Sequence, residues 1–241
     1  MEGYIDIHSH IIPKVDDGAE STETALRMLA LAYREGVRSM IATPHVSYKK
    51  NEGRYRQLSA AFSKLQEKSE QELPDLKLYF GSEIYYSQDT VHGLETGEIP
   101  TLAGTSYVLV EFTPSCEYRY LKSSLQNLVM SGFKPIIAHV ERYYNLNKEI
   151  RMLEDLVAMG AYLQSNAMSI LGENGREAKK VTKSILKSGL LHFIATDSHN
   201  ESSRPPKLEK CLTMTRKRYG EKYAAELFMN NARKLLNDQY I

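Results

Sequence analysis

His8 and His10 stand one residue apart behind the apolar run YIDI, and Asp16 and Asp17 follow six and seven positions after His10. Two imidazoles and two carboxylates in so short a stretch offer the nitrogen and oxygen donors that hold divalent metal ions. Groups of the same kind recur in later apolar runs. His45 ends SMIATPH, Glu83 ends LKLYFGSE, Glu111 lies within YVLVEF, His139 stands in KPIIAHV, and Asp197 and His199 close HFIATDSH. The His8/His10 and Asp197/His199 pairs would put alternate side chains on one face of an extended strand. A single histidine at a strand end is more often a hydrogen-bonded structural group than a ligand. A carboxylate inside VLVEF is different, because burying it without a cationic partner costs several kcal/mol. Repetition across six runs favours a metal site. Of the seven histidines, His92 and His192 lack such company and read as structural or surface residues.

The elements that must position these groups alternate regularly. Residues 4–8, 39–45, 76–83, 107–112, 134–140, 161–166 and 192–199 read as buried strands. Between them, Leu26, Leu29, Ala30 and Tyr33 recur at helical spacing, with Ser21 and Thr22 as candidate N-caps and Gly36 at the stop. Further helices are expected over about 54–71, where Leu58, Phe62 and Leu65 share a face, and over 120–131, 147–159, 175–188 and 205–219. Strand–helix alternation of this length implies an α/β fold on a parallel sheet, closed as a barrel or open and doubly wound. In both forms ligands bind at the carboxyl ends of the strands, so the donors converge on one rim. No repeat, low-complexity tract or linker interrupts the pattern, and residues 1–241 read as one domain.

Composition narrows the function classes. A net charge of +1 gives no electrostatic case for nucleic acid. No apolar run approaches the roughly 20 residues of a membrane span, and MEGYIDIHSH lacks the regions of a signal peptide. Two cysteines suggest a reducing compartment, hence a cytoplasmic protein without a disulfide framework. Thiol-based phosphate chemistry needs an arginine six residues after the cysteine. Lys122 follows Cys116 at that distance and Lys217 follows Cys211, so neither fits.

The motifs DIHSH, DDG, TPH, GSE, VEF, AHVER and TDSH resemble those of the polymerase and histidinol phosphatase (PHP) superfamily. More narrowly, HIIPKVDDGAES, IATPH, AHVER and ATDSHN, with the two glutamates, resemble the CpsB/YwqE (CpsB/CapC) family of bacterial capsule and exopolysaccharide systems. The resemblance runs from about residue 4 to residue 240 in one motif order. Val140 departs from it, standing where many relatives have proline. The resemblance implies a distorted TIM-like (β/α)7 barrel and a trinuclear site. His8, His10, Glu83 and Asp197 would hold one ion, and Glu83 would share a second with Glu111 and His139. Asp17, His45 and His199 would hold a third, with Asp16 a turn residue or a support to a ligand.

The implied activity is that of a metal-dependent protein-tyrosine phosphatase, in which hydroxide activated by the metals attacks a phosphomonoester in line. Arg142 and Arg204 would clamp the phosphoryl oxygens, and with His199 they are the expected catalytic groups. Mixed nitrogen and oxygen donors without thiolate suit Mn, Fe, Zn or Co, and the resemblance favours three Mn ions, with Fe as the alternative. The implied partner is a phosphotyrosine protein, such as an autophosphorylated bacterial tyrosine kinase. Tyr143 and Tyr144 would line its cleft. A small-molecule phosphoesterase resembling histidinol phosphatase, and a noncatalytic phosphoprotein-binding module, stand as the other readings.

Overall fold

The computed structural model describes residues 3–48, 54–146 and 149–241. Nine strands are found among these residues, with helices between most of them. They are β1 (Tyr4–Ser9), β2 (Val37–Ala42), β3 (His45–Val46), β4 (Lys77–Phe80), β5 (Glu83–Tyr85), β6 (Tyr107–Glu111), β7 (Lys134–Ile137), β8 (Tyr162–Asn166) and β9 (Phe193–Ala195). All their pairings are parallel, in the orders β1-β2-β4 and β3-β5-β6-β7-β8-β9. The second and third predicted strands are therefore each broken once, at Thr43-Pro44 and at Gly81-Ser82. Hydrogen bonds from Gly81 N to Ala42 O (2.9 Å) and from Glu83 N to Pro44 O (3.0 Å) carry the pairing across both breaks. At the seam between first and last strands, Asp197 N donates to His8 O (2.9 Å) and His10 N to Ser198 O (2.8 Å), curling the sheet into the expected barrel form.

Strand periodicity explains how the rim is supplied. An inner apolar cluster joins Ile5, Ile7, Ile41, Tyr107, Leu109, Ile136, Tyr162, Phe193 and Ala195. Along β6 the same face runs from Tyr107 and Leu109 to Glu111, and along β8 from Tyr162 to Gln164 and Asn166. These two strands thus carry apolar residues below and polar ones at their carboxyl ends. The first strand is irregular, with a register shift between Asp6 and Ser9, and both Ile7 and His8 are buried there.

Helices cover the outside. The first, α1 (Thr22–Arg34), begins at Ser21, whose hydroxyl accepts from Thr24 N, so Thr22 is the first helical residue and not the cap. It ends beside Gly36 in the left-handed conformation. In order follow α2 (Tyr55–Glu72), α3 (Thr90–Glu95), α4 (Tyr118–Met130), α5 (Ile150–Ala158), α6 (Ala167–Leu171), α7 (Arg176–Ser188), α8 (Glu209–Tyr219), α9 (Glu221–Ala225) and α10 (Asn231–Leu236), the last two joined through a π-helical turn at Glu226–Asn230. The first two residues of the expected helix 147–159 lie outside the described residues, and α8 begins four residues later than expected. Among the described residues no helix is long and apolar enough to cross a membrane.

Candidate metal centre

Three histidines turn the same nitrogen inward because their other nitrogen is occupied. His8 Nδ1 lies 3.2 Å from Gln164 Oε1, His10 Nδ1 lies 2.8 Å from Asp16 Oδ2, and His199 Nδ1 lies 3.0 Å from Asp197 O. Each acceptor takes the Nδ1–H, which leaves Nε2 directed at the cluster to hold either a proton or a metal ion. His8 Nε2 and His10 Nε2 are 3.3 Å apart. Both also face Glu83 Oε2, at 3.3 Å each, and Asp197 Oδ1, at 3.4 and 3.5 Å. Buried imidazole nitrogens and carboxylate oxygens converging on one point require a positive charge there. The polar atoms Glu83 Oε2, His139 Nδ1 and His199 Nε2 are buried without a hydrogen-bond partner.

The remaining expected ligands join this group. His139 Nε2 is 2.8 Å from Glu83 Oε1 and 3.5 Å from Glu111 Oε1. His45 Nδ1 is 3.0 Å from Glu83 Oε2 and 3.7 Å from Glu111 Oε2, while its Nε2 is 3.5 Å from Asp17 Oδ1. His199 Nε2 is 3.3 Å from that same Asp17 oxygen. Ligand atoms lie within 4.8 Å of one another in three sets: His8, His10 and Asp197; His45, Glu83 and Glu111; and His10, Asp17, His45 and His199. Eight of the nine expected ligands fall in these sets, His10 and His45 in two each, and the ninth, His139, joins them through Glu83 and Glu111.

Charges confirm how tightly the groups interact. Burial alone would depress His8 and His10, but Glu83 and Asp197, with Asp16 beside His10, outweigh it and hold both above the ordinary histidine value. Burial works to raise Glu83 and Asp197, yet the surrounding histidines keep both carboxyls well below the usual range. Glu111 is pushed up by burial and by the Glu83 charge. Burial and neighbouring His10 push His199 down to about 4. Carboxylates that would repel one another alone are therefore balanced by protons and arginines in this arrangement.

Local backbone geometry aims several of these groups. Asp16 Oδ1 accepts from Gly18 N at 3.0 Å and Oδ2 accepts from His45 N at 3.1 Å, so Asp16 orients a ligand and closes its own turn. A Cβ on Gly18 would lie 2.1 Å from His10 O, so only glycine lets this loop pack against the first strand. His139 and Asp197 occupy the left-handed region, at φ 33° and 53°. Such non-glycine residues store about 1–3 kcal/mol and gather at functional sites. This corrects two expectations: the fifth strand stops at Ile137, and the Asp197/His199 pair leaves extended geometry before reaching the site.

Arg142 Nη2 and Arg204 Nη2 both reach Asp197 Oδ2, at 2.7 and 2.8 Å. Arg204 belongs to no helix and stands in the loop that precedes α8. Asn200 Oδ1 holds its loop by accepting from Ser203 N and Arg204 N. Tyr143 is buried and its hydroxyl accepts from Phe112 N, so it is core and lines no cleft. Tyr144 is 71% exposed beside Arg142.

The sequence pattern missed the contribution of β8. Gln164 Oε1 also accepts from His139 N at 2.7 Å, and Gln164 Nε2 donates to Asn166 Oδ1 at 2.9 Å. Asn166 Nδ2 then donates to Asp197 Oδ2 at 2.7 Å. Glu141 accepts from Ser165 Oγ and Asn166 N, fixing the turn that carries Arg142 against the same strand. Alternate polar residues at the end of AYLQSN were the available signal.

The chain matches the family model for capsular polysaccharide synthesis, CpsB/CapC, over residues 4–237. It is 38% identical over 242 residues to the tyrosine-protein phosphatase CpsB of Streptococcus pneumoniae, covering 98% of this chain and 100% of that one. The tyrosine-protein phosphatase YwqE of Bacillus subtilis (strain 168) is 32% identical over 241 residues, covering 98% and 93%. The fold matches, with a TM-score of 0.90 and 32% identity, a chain from the crystal structures of YwqE from Bacillus subtilis and CpsB from Streptococcus pneumoniae, described as unique metal-dependent tyrosine phosphatases. That match covers 98% of this chain and 96% of the other. A shared fold and nearly end-to-end sequence similarity make this chain a member of the CpsB/CapC family.

Proposed function

We propose that this protein is a metal-dependent protein-tyrosine phosphatase. The observation that carries the reading is the inward convergence of the His8, His10 and His199 Nε2 atoms with the Glu83 and Asp197 carboxylates. His8, His10, Glu83 and Asp197 would hold one divalent ion, Glu83, Glu111 and His139 a second, and Asp17, His45 and His199 a third. Nitrogen and oxygen donors without thiolate fit manganese or iron, and manganese is the ion we propose. When bound, such ions supply Lewis acidity to the phosphoryl oxygens and lower the pKa of water.

The chain's own groups do the rest. Arg142 and Arg204 present guanidinium forks at the edge of the cluster, where they bind and orient the phosphoryl oxygens. Asn166 adds an amide donor between them. Gln164 and Asp16 keep the imidazoles of His8 and His10 turned inward, and His199 Nε2 faces Asp17 at the open side. The substrate is a phosphotyrosine protein of capsule or exopolysaccharide synthesis, an autophosphorylated tyrosine kinase by chemistry and family context.

The test is hydrolysis of a phosphotyrosine peptide, compared with histidinol phosphate, before and after verified removal of metal. The peptide should turn over faster, chelation should stop turnover, and manganese should restore it. The chelated protein should also melt earlier, because an ion bound only to the folded state stabilises it. Unchanged turnover without metal would overturn the reading, and preference for histidinol phosphate would replace it with a small-molecule phosphoesterase.

A further inference from the structure

Two clefts border the cluster, and they differ in charge. One, of about 750 Å³, contains Arg142 and Arg204 together with Pro114, Tyr144, Met168 and Val181. The other, of about 700 Å³, contains Asp16, Asp17, His45, Arg54, Tyr85 and Glu111. At the second cleft Asp16 is hydrogen-bonded to His10, Gly18 and His45. Asp17 and Glu111 set two further carboxylates against the guanidinium of Arg54, a balance that disfavours approach of a phosphate dianion there. In the first, Asp197 and Glu141 are already hydrogen-bonded, and the remaining acidic group, Glu177, stands at the exposed start of α7. Both forks therefore lie beside apolar side chains in one cavity.

The wall next to Arg142 is built to display a ring. Tyr144 N donates to Pro114 O at 3.1 Å, which fixes the backbone of one lining residue against another. Buried Tyr143 anchors the same turn, while the Tyr144 ring stays 71% exposed. An exposed aromatic side chain on a fixed backbone is a low-entropy surface for stacking.

We infer that the arginine-lined cleft seats the phenyl ring of phosphotyrosine, with Tyr144 as the residue that determines specificity for aryl over alkyl phosphates. This rests on the phosphatase reading. A phosphorylated serine held by Arg142 and Arg204 carries no ring to cover Tyr144, Met168 and Val181. A phosphotyrosine held the same way buries its ring against them.

Binding and turnover separate this inference from the reading beneath it. The manganese-loaded protein is titrated calorimetrically with phenylphosphonate and with methylphosphonate, neither of which can be hydrolysed as an ester. Phenylphosphonate should bind roughly ten-fold more tightly, given aromatic stacking together with the apolar area it covers. Tyr144→Ala should remove most of that preference, Tyr144→Phe should keep it, and Tyr85→Ala should leave it unchanged. On peptides, Tyr144→Ala should raise KM for phosphotyrosine and so narrow its advantage in kcat/KM over the matching phosphoserine peptide. The seat is overturned if Tyr144→Ala keeps the full preference, if neither phosphonate binds, or if Tyr85→Ala abolishes the preference and so moves the ring to the acidic cleft. A Tyr144-dependent preference without any phosphotyrosine turnover would keep the seat and defeat the phosphatase reading. Turnover that ignores Tyr144 would do the reverse.

Discussion

Gln164 Oε1 faces Nδ1 of His8 at 3.2 Å, and this contact decides which nitrogen of His8 looks into the cluster. The amide cannot turn over freely, because its nitrogen donates to Asn166 and its oxygen also receives the His139 N–H. Partners of this kind typically contribute 10- to 100-fold to metal affinity.

Gln164→Met should keep the fold and lose the orientation of His8. Manganese affinity should then fall about 10- to 100-fold. Titration of the apo variant, with circular dichroism as a check on folding, reads the effect directly. Wild-type affinity in a folded variant would show that His8 needs no such support.

The two cysteines lead to the opposite expectation. Cys211 is fully buried in α8, and burial pushes its thiol up to about 12. Cys116 is raised as well, again by burial. A nucleophilic cysteine needs a depressed pKa. Cys116→Ser and Cys211→Ser should both retain most turnover, although the second should cost about 1–3 kcal/mol for a hydroxyl in the core. A phosphocysteine seen by mass spectrometry during turnover would contradict this.

His192 gives a pH dependence outside the cluster. Burial pushes it down to about 4, and its Nδ1 accepts from Leu163 N at 3.2 Å. In the unfolded chain a histidine titrates near ~6.5. Between those values the unfolded state holds the extra proton, so the contribution is complete above pH ~6.5 and falls as pH falls through about 4. The whole loss is on the order of 3 kcal/mol. Urea unfolding of chelated wild type and His192→Asn at pH about 7.5 and about 4.5 isolates it, because the other titrations are common to both. Wild type should lose more stability on acidification, and equal losses would place His192 in solvent.

The donors were legible in the sequence because a parallel sheet exports chemistry at strand ends, and strands have a period that apolar residues reveal. Glu111 follows Leu109 and Tyr107 on one face, so both its position and its direction could be read. His139 and Asp197 could be located but not aimed, since a positive φ at a non-glycine residue leaves no mark in composition. Gln164 and Asn166 escaped notice because amides are common and carry no charge. What makes them matter is a hydrogen-bond partner distant in sequence, His8 for Gln164 and Asp197 for Asn166. Tyr143 and Tyr144 show the same limit from the other side: identical neighbours, one buried and one exposed.

The arginines provide the sharpest test of how phosphate is held. Arg142 and Asn166 donate to Asp197 Oδ2, and Arg204 Nη2 forms an ion pair with the same atom at 2.8 Å, so three preorganised groups meet at one anionic oxygen. A phosphoryl oxygen brought beside the cluster would meet the same forks, and such contacts strengthen as charge develops during transfer. Losing one should cost on the order of 2–4 kcal/mol of transition-state stabilisation. Metal content should hold in either single variant, since neither guanidinium is a ligand and Asp197 keeps two of these three partners. Arg142→Lys should restore only part of the loss, because an ammonium cannot reproduce the planar fork. The measurement is kcat/KM on a phosphotyrosine peptide, alongside metal content, for Arg142→Ala, Arg142→Lys and Arg204→Ala. Unaltered kinetics in both alanine variants would confine the arginines to orienting Asp197 and leave the phosphate to the ions alone.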